Sequence, residues 1–155
     1  MTTLNLRPLD GDYCRYLGPK LQASDIADLT LHHQCPDEAL FSALSIPGQA
    51  YCVRDGDTPI GAGGWTEEGA VWTLWTDLTI SQSAALLRCC VPWARIMAIR
   101  AERPLHNVFL ASNSITASWL EATRCVNILY NRPLTWHGRE YIPFFLKSLE
   151  ELPYV

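Results

Sequence analysis

The chain has 155 residues and a formal net charge of −4. Its length predicts one domain that spans residues 1–155. Hydrophobic residues make up 48% of the sequence and charged residues 18%, which excludes wholesale disorder. The acidic balance argues against nucleic acid as a partner, because phosphate contacts need a basic surface. No apolar run approaches the ~18 residues that a membrane helix needs, so we expect no membrane partner.

The six cysteines show no C-x-x-C motif and no paired Cys/His spacing, so the sequence predicts no metal site. The first residues lack the charged and then apolar blocks of a signal peptide, which favours a cytoplasmic protein with reduced thiols. We expect most of these thiols to be small apolar core groups. They are Cys14, Cys35, Cys52, Cys89, Cys90 and Cys125.

The first 45 residues predict one strand followed by helical segments. Alternation of apolar and polar residues predicts a strand at 4–9, and a short helix follows at 12–17. Ser24 is the expected N-cap of a second helix at 25–33. A further helical segment is expected over 36–43, where the apolar residues share one face.

The middle of the chain predicts three strands and one long helix. The strands lie at 50–53, 58–65 and 70–78, and the third has apolar groups on both faces, which is typical of a central strand. The long helix spans 81–102, and Pro92 inside it predicts a kink.

The last third predicts a strand at 107–111, a helix at 114–123 and two strands at 126–130 and 140–146. Pro143 in the last strand indicates a bulge or an exposed edge. The resulting order is β-α-α-β-β-β-α-β-α-β-β. It predicts a mixed α/β fold, with one sheet and helices on both faces.

Several short motifs occur in an order that carries a family resemblance. They are Leu6-Arg7-Pro8 at a strand end, the acidic helix start Ser24-Asp25, the strand Trp72-Thr73-Leu74-Trp75, the mid-helix Trp93, and Asn113 followed by Trp119-Leu120. Their order resembles the GCN5-related N-acetyltransferase (GNAT) fold. In particular it resembles the small GNAT-like proteins of tailed bacteriophages, and the resemblance covers nearly the whole chain.

The resemblance implies acetyl-CoA as cofactor and an amine as acceptor. In that family the central strand and the next strand splay apart, and the pantetheine pairs with backbone groups in the gap. The pyrophosphate lies at the start of the long helix, where free N–H groups favour anions. The implied cofactor-binding residues are Leu74, Trp75, Thr76, Ser81, Ser83, Ala84, Asn113 and Trp119.

Two departures from the family pattern weaken the expectation of catalysis. The loop before the long helix has neither the glycines nor the arginine of the family pattern. The hydroxyls of Ser81 and Ser83 then either donate hydrogen bonds to the phosphates or belong to a region whose hydroxyls only cap the helix. Leu120 occupies the position where the family often has a tyrosine that acts as general acid and protonates the leaving thiolate. As general bases the sequence offers Glu67 and Asp77, although an acidic turn is more often only solvated.

The sequence therefore supports two classes of function. One is an acyl-CoA-dependent N-acyltransferase. The other is a GNAT scaffold without catalysis that binds a host or virion protein in host takeover, defence inhibition or particle assembly. Most tryptophans are expected to be core residues, and Trp136 is the best candidate for a protein-binding patch.

Overall fold

The computed structural model describes residues 2–45 and 49–154. The chain divides into two compact units, Met1–Leu86 and Leu87–Val155, and each is described by itself. The prediction of a single domain stays a prediction. Within the described ranges, no helix combines the length and the apolar character needed to cross a bilayer.

The first unit is an antiparallel four-stranded sheet in the order β1-β2-β3-β4. Its strands are β1 (Leu4–Pro8), β2 (Ala50–Asp55), β3 (Thr58–Trp65) and β4 (Val71–Trp75). In the described part of the connection from β1 to β2 lie three α-helices, one more than the predicted order counts: α1 (Gly11–Leu17), α2 (Ala23–Leu31) and α3 (Pro36–Ser42).

One face of this sheet forms the core of the first unit. Alternate residues of β2, β3 and β4, among them Cys52, Ala62 and Leu74, pack against buried residues such as Leu17 and Leu40 of the helices. Burying these side chains contributes about 25 cal/mol per Å² of apolar surface removed from water. The sequence predicted a central strand at 70–78, and this is wrong for the sheet of the first unit: β4 covers Val71–Trp75 and is the last strand in the order β1-β2-β3-β4.

The second unit is built around β8. Helix α4 (Ile80–Ala101) begins in the first unit and ends in the second. The remaining elements are β5 (His106–Leu110), α5 (Ser114–Thr123), β6 (Val126–Ile128), β7 (Leu134–Trp136) and β8 (Arg139–Leu146). β5, β6 and β7 all pair antiparallel with β8, and the core gathers Val91, Ala94, Cys125 and Leu152.

Pro143 lies in the central strand β8 and not at an exposed edge. The N–H of Leu129 donates to the Pro143 carbonyl at 2.9 Å, so the backbone of Pro143 faces the edge that β6 occupies. Pro143 has no N–H to donate to that edge. The β6 pairing ends at Ile128 opposite Phe144, and β7 pairs from Tyr141 onward. Pro143 therefore lies where one short partner strand stops and the next begins.

One further expectation from the sequence is wrong, and one strand was missed. Helix α2 begins at Ala23, so Ser24 lies inside its first turn, and the residue before the helix is Gln22, whose side chain makes no capping bond. Strand β7 was not predicted, because three exposed residues offer no periodicity to detect.

Candidate functional site

The pairing of β3 and β4 determines which residues of β4 direct their backbone groups to its outer edge, the side away from β3. The N–H of Thr76 donates to the Ile60 carbonyl at 3.0 Å, and opposed residues of an antiparallel pair alternate in the direction of their backbone groups. Leu74 and Thr76 therefore turn their backbone groups toward β3. Thr73 and Trp75 turn theirs to the outer edge. Of the three strand residues predicted to bind cofactor through the backbone, only Trp75 faces outward.

The start of α2 pairs with the backbone of Trp75. The N–H of Trp75 donates to Asp25 Oδ2 at 2.6 Å, and the N–H of Gln22 donates to the Trp75 carbonyl at 2.8 Å. An isolated antiparallel bridge joins Leu21 to Thr76 beside them. The outward N–H and carbonyl of Trp75 thus have hydrogen-bond partners within the first unit. The outward N–H and carbonyl of Thr73 lie two residues earlier on the same edge of β4.

Asp25 is a half-buried carboxylate held by two donors on one oxygen. Besides the Trp75 N–H, the Gln22 side-chain nitrogen donates to Oδ2 at 3.1 Å. Within residues 2–45 and 49–154, Oδ1 has no hydrogen-bond partner. Burial raises the pKa of Asp25 above its ordinary value, the two hydrogen bonds oppose this, and the nearby charge of Asp28 adds to it.

Asp25 is the residue of this site that sequence reasoning missed. In the sequence it is only an acid in the first turn of a helix, where the helix dipole explains it fully. Its partner Trp75 lies 50 residues further along the chain, so no local spacing links the two. The sequence held one indication of this contact: the acidic helix start and the tryptophan strand are both motifs of the family resemblance.

The indole of Trp75 lies against β3 at Gly61. A Cβ built on Gly61 would lie 2.6 Å from Trp75 Cζ3 and closer still to Cε3, and 2.8 Å from the Leu74 carbonyl oxygen. Only glycine leaves room for the ring at this position. Trp72, which points to the other face of β4, packs against the core of the first unit.

The start of α4 is closed by a reciprocal capping box. The N–H of Gln82 donates to Thr79 Oγ1 at 3.1 Å, and the N–H of Thr79 donates to Gln82 Oε1 at 3.0 Å. The hydroxyls of Ser81 and Thr2 bond each other. Thr79 is therefore the cap, and Ser81 and Ser83 are not. Among the described residues, the N–H groups of Ile80 and Ser81 meet no acceptor.

The two carboxylates predicted as general bases lie at opposite ends of β4. Glu67 lies in the turn that precedes the strand, and Asp77 follows it; both are exposed. A five-residue strand spans about 17 Å, so the structure does not bring the two carboxylates together. Ala84, one turn into α4, is exposed as well.

In the second unit, Asn113 and Trp119 both belong to α5. Asn113 is the N-cap of this helix, and its side-chain oxygen accepts the Thr116 N–H at 3.0 Å. Trp119 is half-buried. Trp136 is 47% exposed on β7, with its ring centroid 6.0 Å from that of Tyr141. Cofactor binding by Asn113 and Trp119 stays a prediction.

Five of the six thiols are poor nucleophiles. Burial raises the pKa of Cys52 and of Cys90 to about 12 and also raises the pKa of Cys14, Cys89 and Cys125. A thiol with a raised pKa is almost entirely protonated at neutral pH. In the described part of the chain, His, Cys, Asp and Glu form no cluster of three that could hold a metal ion.

Comparison with known proteins gives structural matches only. No family model matches the sequence, and no curated protein matches it either. A GNAT-family acetyltransferase from Bacillus cereus matches with a TM-score of 0.64 and 11% identity, over 95% of this chain and 99% of that one.

Two other solved structures match over almost their whole length. A chimera of the spermidine N-acetyltransferase SpeG from Vibrio cholerae and hSSAT has a TM-score of 0.63 at 11% identity, with 97% of this chain and 98% of that one covered. An acetyltransferase from Bacillus subtilis, solved in complex with CoA, has a TM-score of 0.54 at 12% identity, with 96% and 100% covered. The chain thus has the mixed α/β fold of the GNAT acetyltransferases.

Proposed function

We propose that this protein is an acyl-CoA-dependent N-acyltransferase that acts on an amine acceptor. The observation that carries the proposal is the likeness to GNAT acetyltransferases over 95% of this chain. One of the matched structures contains CoA, and another is a spermidine N-acetyltransferase. When bound, acyl-CoA supplies the activated acyl group as a thioester.

The residues present fit acyl-CoA at two places in the first unit. Thr73 offers its outward N–H and carbonyl on the β4 edge, which suits an amide-containing ligand arm. Ile80 and Ser81 offer N–H groups at the start of α4, where the helix dipole favours phosphate. The fit is incomplete, because neither arginine nor glycine lines the start of α4.

The charge of the first unit favours a cationic amine as the acceptor. Residues 1–86 contain 11 acidic and 4 basic residues, which gives a formal charge of −7. A surface of one sign attracts ligands of the other sign and raises their association rate. We propose an amine of the polyamine class, in which the non-reacting ammonium groups respond to this charge.

Calorimetric titration with acetyl-CoA and with CoA tests the proposal. We expect micromolar binding, about −8 kcal/mol. Thr73→Pro removes the outward N–H while leaving the β3 ladder untouched, since proline is tolerated where an edge N–H points outward. It should weaken CoA binding at least tenfold, whereas the control Thr73→Val should bind as the wild type does. The absence of heat up to millimolar acetyl-CoA would refute the proposal.

A second function, a GNAT scaffold without catalysis, is favoured by one observation. Gln22 and Asp25 occupy the outward backbone groups of Trp75, which narrows the β4 edge that a cofactor would use. The sequence motifs that resemble phage proteins then suggest a host or virion protein as the partner. This function predicts no heat with acetyl-CoA, together with a host or virion protein whose capture is lost in Trp136→Ser.

A further inference from the structure

The carboxylate of Asp25 is placed as a proton acceptor is placed in an active site. Its Oδ2 is fixed by the Trp75 N–H at 2.6 Å and by the Gln22 side chain at 3.1 Å. These two bonds orient the group and leave Oδ1 without a partner among the described residues.

The spacing along β4 relates Asp25 to the backbone position that fits an acyl carbonyl. Thr73 and Trp75 are two residues apart on the same outward edge, which corresponds to about 7 Å. An oxygen that accepts the Thr73 N–H therefore lies about 7 Å from Asp25 Oδ2. An amine nitrogen in that interval reaches the carbonyl carbon on one side and Asp25 Oδ1 on the other.

We propose that Asp25 is the general base that removes the proton from the attacking amine. The inference rests on the proposed function and names a catalytic residue for it. The new N–C bond forms as the C–S bond breaks, and the proton on nitrogen passes to Asp25 Oδ1. The departing thiolate takes a proton from water, and Asp25 then returns its proton to the hydroxide that is left.

Asp25 meets the requirements of a base better than the two carboxylates predicted from the sequence. Glu67 and Asp77 are exposed and lie beyond the ends of β4. Asp25 is half-buried on the strand edge itself, and burial moves its pKa upward, toward the operating range of a base. The charged group that acts on it is Asp28, one turn further along α2.

The test combines kinetics with an observation that does not depend on turnover. Asp25→Asn keeps an oxygen that accepts the Trp75 N–H and removes the base, and Glu38→Gln, at an exposed acid of α3, is the matched control. With acetyl-CoA and spermidine, we expect Asp25→Asn to lower kcat at least 100-fold with CoA affinity unchanged, and Glu38→Gln to stay within about threefold of wild type. In ¹³C spectra, the carboxyl signal that Asp25→Asn removes should shift when spermidine is added to the CoA complex.

The outcomes separate the base from the proposed function. If acetyl-CoA produces heat and Asp25→Asn turns over at the wild-type rate, the role of Asp25 is refuted and the transferase stands. If the carboxyl signal does not respond to spermidine in a protein that acetylates it, the role of Asp25 is refuted as well. If the titration with acetyl-CoA produces no heat, the proposed function is refuted, and the role of Asp25 as general base is refuted with it.

Discussion

The contact between Trp75 and Gly61 makes a quantitative prediction about stability. In Gly61→Ala the new methyl would lie 2.6 Å from Trp75 Cζ3, closer still to Cε3, and 2.8 Å from the Leu74 carbonyl oxygen, where ordinary contacts are about 3.5–4 Å. The ring is rigid and the oxygen belongs to the strand, so neither yields by bond rotation alone. Overpacking of this kind costs about 1–3 kcal/mol, and alanine recovers about 0.5 kcal/mol of backbone entropy. We expect a net loss of about 1.5 kcal/mol.

Urea unfolding followed by tryptophan fluorescence measures this loss directly. At this chain length about 1.5 kcal/mol corresponds to a fall in Tm of about 3–6 °C. Gly63→Ala is the matched control on the same strand, because its methyl would meet Trp72 and Thr73 atoms at 3.1 and 3.2 Å, a strain that small shifts relieve. If Gly61→Ala loses no more stability than Gly63→Ala, the packing of Trp75 on Gly61 does not constrain this sheet.

Three further predictions concern the thiols, the cap of α4 and the buried carboxyl. Iodoacetamide at pH 7.5 should alkylate the exposed Cys35 quickly and spare Cys52 and Cys90 until the protein unfolds. Peptide mass spectrometry would measure the labelling, and equal labelling of all three thiols would contradict this prediction. Thr79→Ala should cost about 1 kcal/mol in urea unfolding through loss of the capping box; an unchanged midpoint would show that this cap contributes nothing. Because the folded-state pKa of Asp25 is raised, the folded protein binds this proton more tightly than the unfolded chain, and stability falls as pH rises through that interval. Asp25→Asn should therefore gain stability relative to wild type at pH 7 and lose that gain near pH 3, which thermal scans at the two pH values would detect.

The elements that the sequence predicted best begin at a clear local signal, the turn at Gly56 and the cap at Asn113. The strand at Thr58–Trp65 and the helix at Ser114–Thr123 match the structure residue for residue. The termini of α2 were less accurate, since the helix begins before Ser24 without a capping side chain. A cap residue is a local preference of about 1 kcal/mol, which tertiary pairing can override. Here the pairing is the bond from the Gln22 N–H to the Trp75 carbonyl.

The candidate site was predictable only to the level of the strand. Periodicity and composition located β4, but the direction of each backbone group depends on which residues of β3 oppose it. That pairing follows from Gly61 opposite Trp75, a match between a ring and a missing side chain that no single segment reveals. Asp25 was beyond reach for a similar reason, because its role depends on a hydrogen bond between α2 and β4.

Gly61 also controls which chemistry the β4 edge can offer. The side-chain period of a strand is two, so a shift of one residue against β3 would turn Leu74 out of the core and reverse every outward backbone group. Leu74 is 8% exposed and belongs to the core cluster, which makes such a shift costly. The glycine that accommodates the Trp75 ring therefore holds Thr73 and Trp75 on the outward edge. A substitution at Gly61 that leaves the protein folded should weaken CoA binding and alter the Asp25 carboxyl signal together, whereas independent changes would show that the edge and the carboxylate are not coupled.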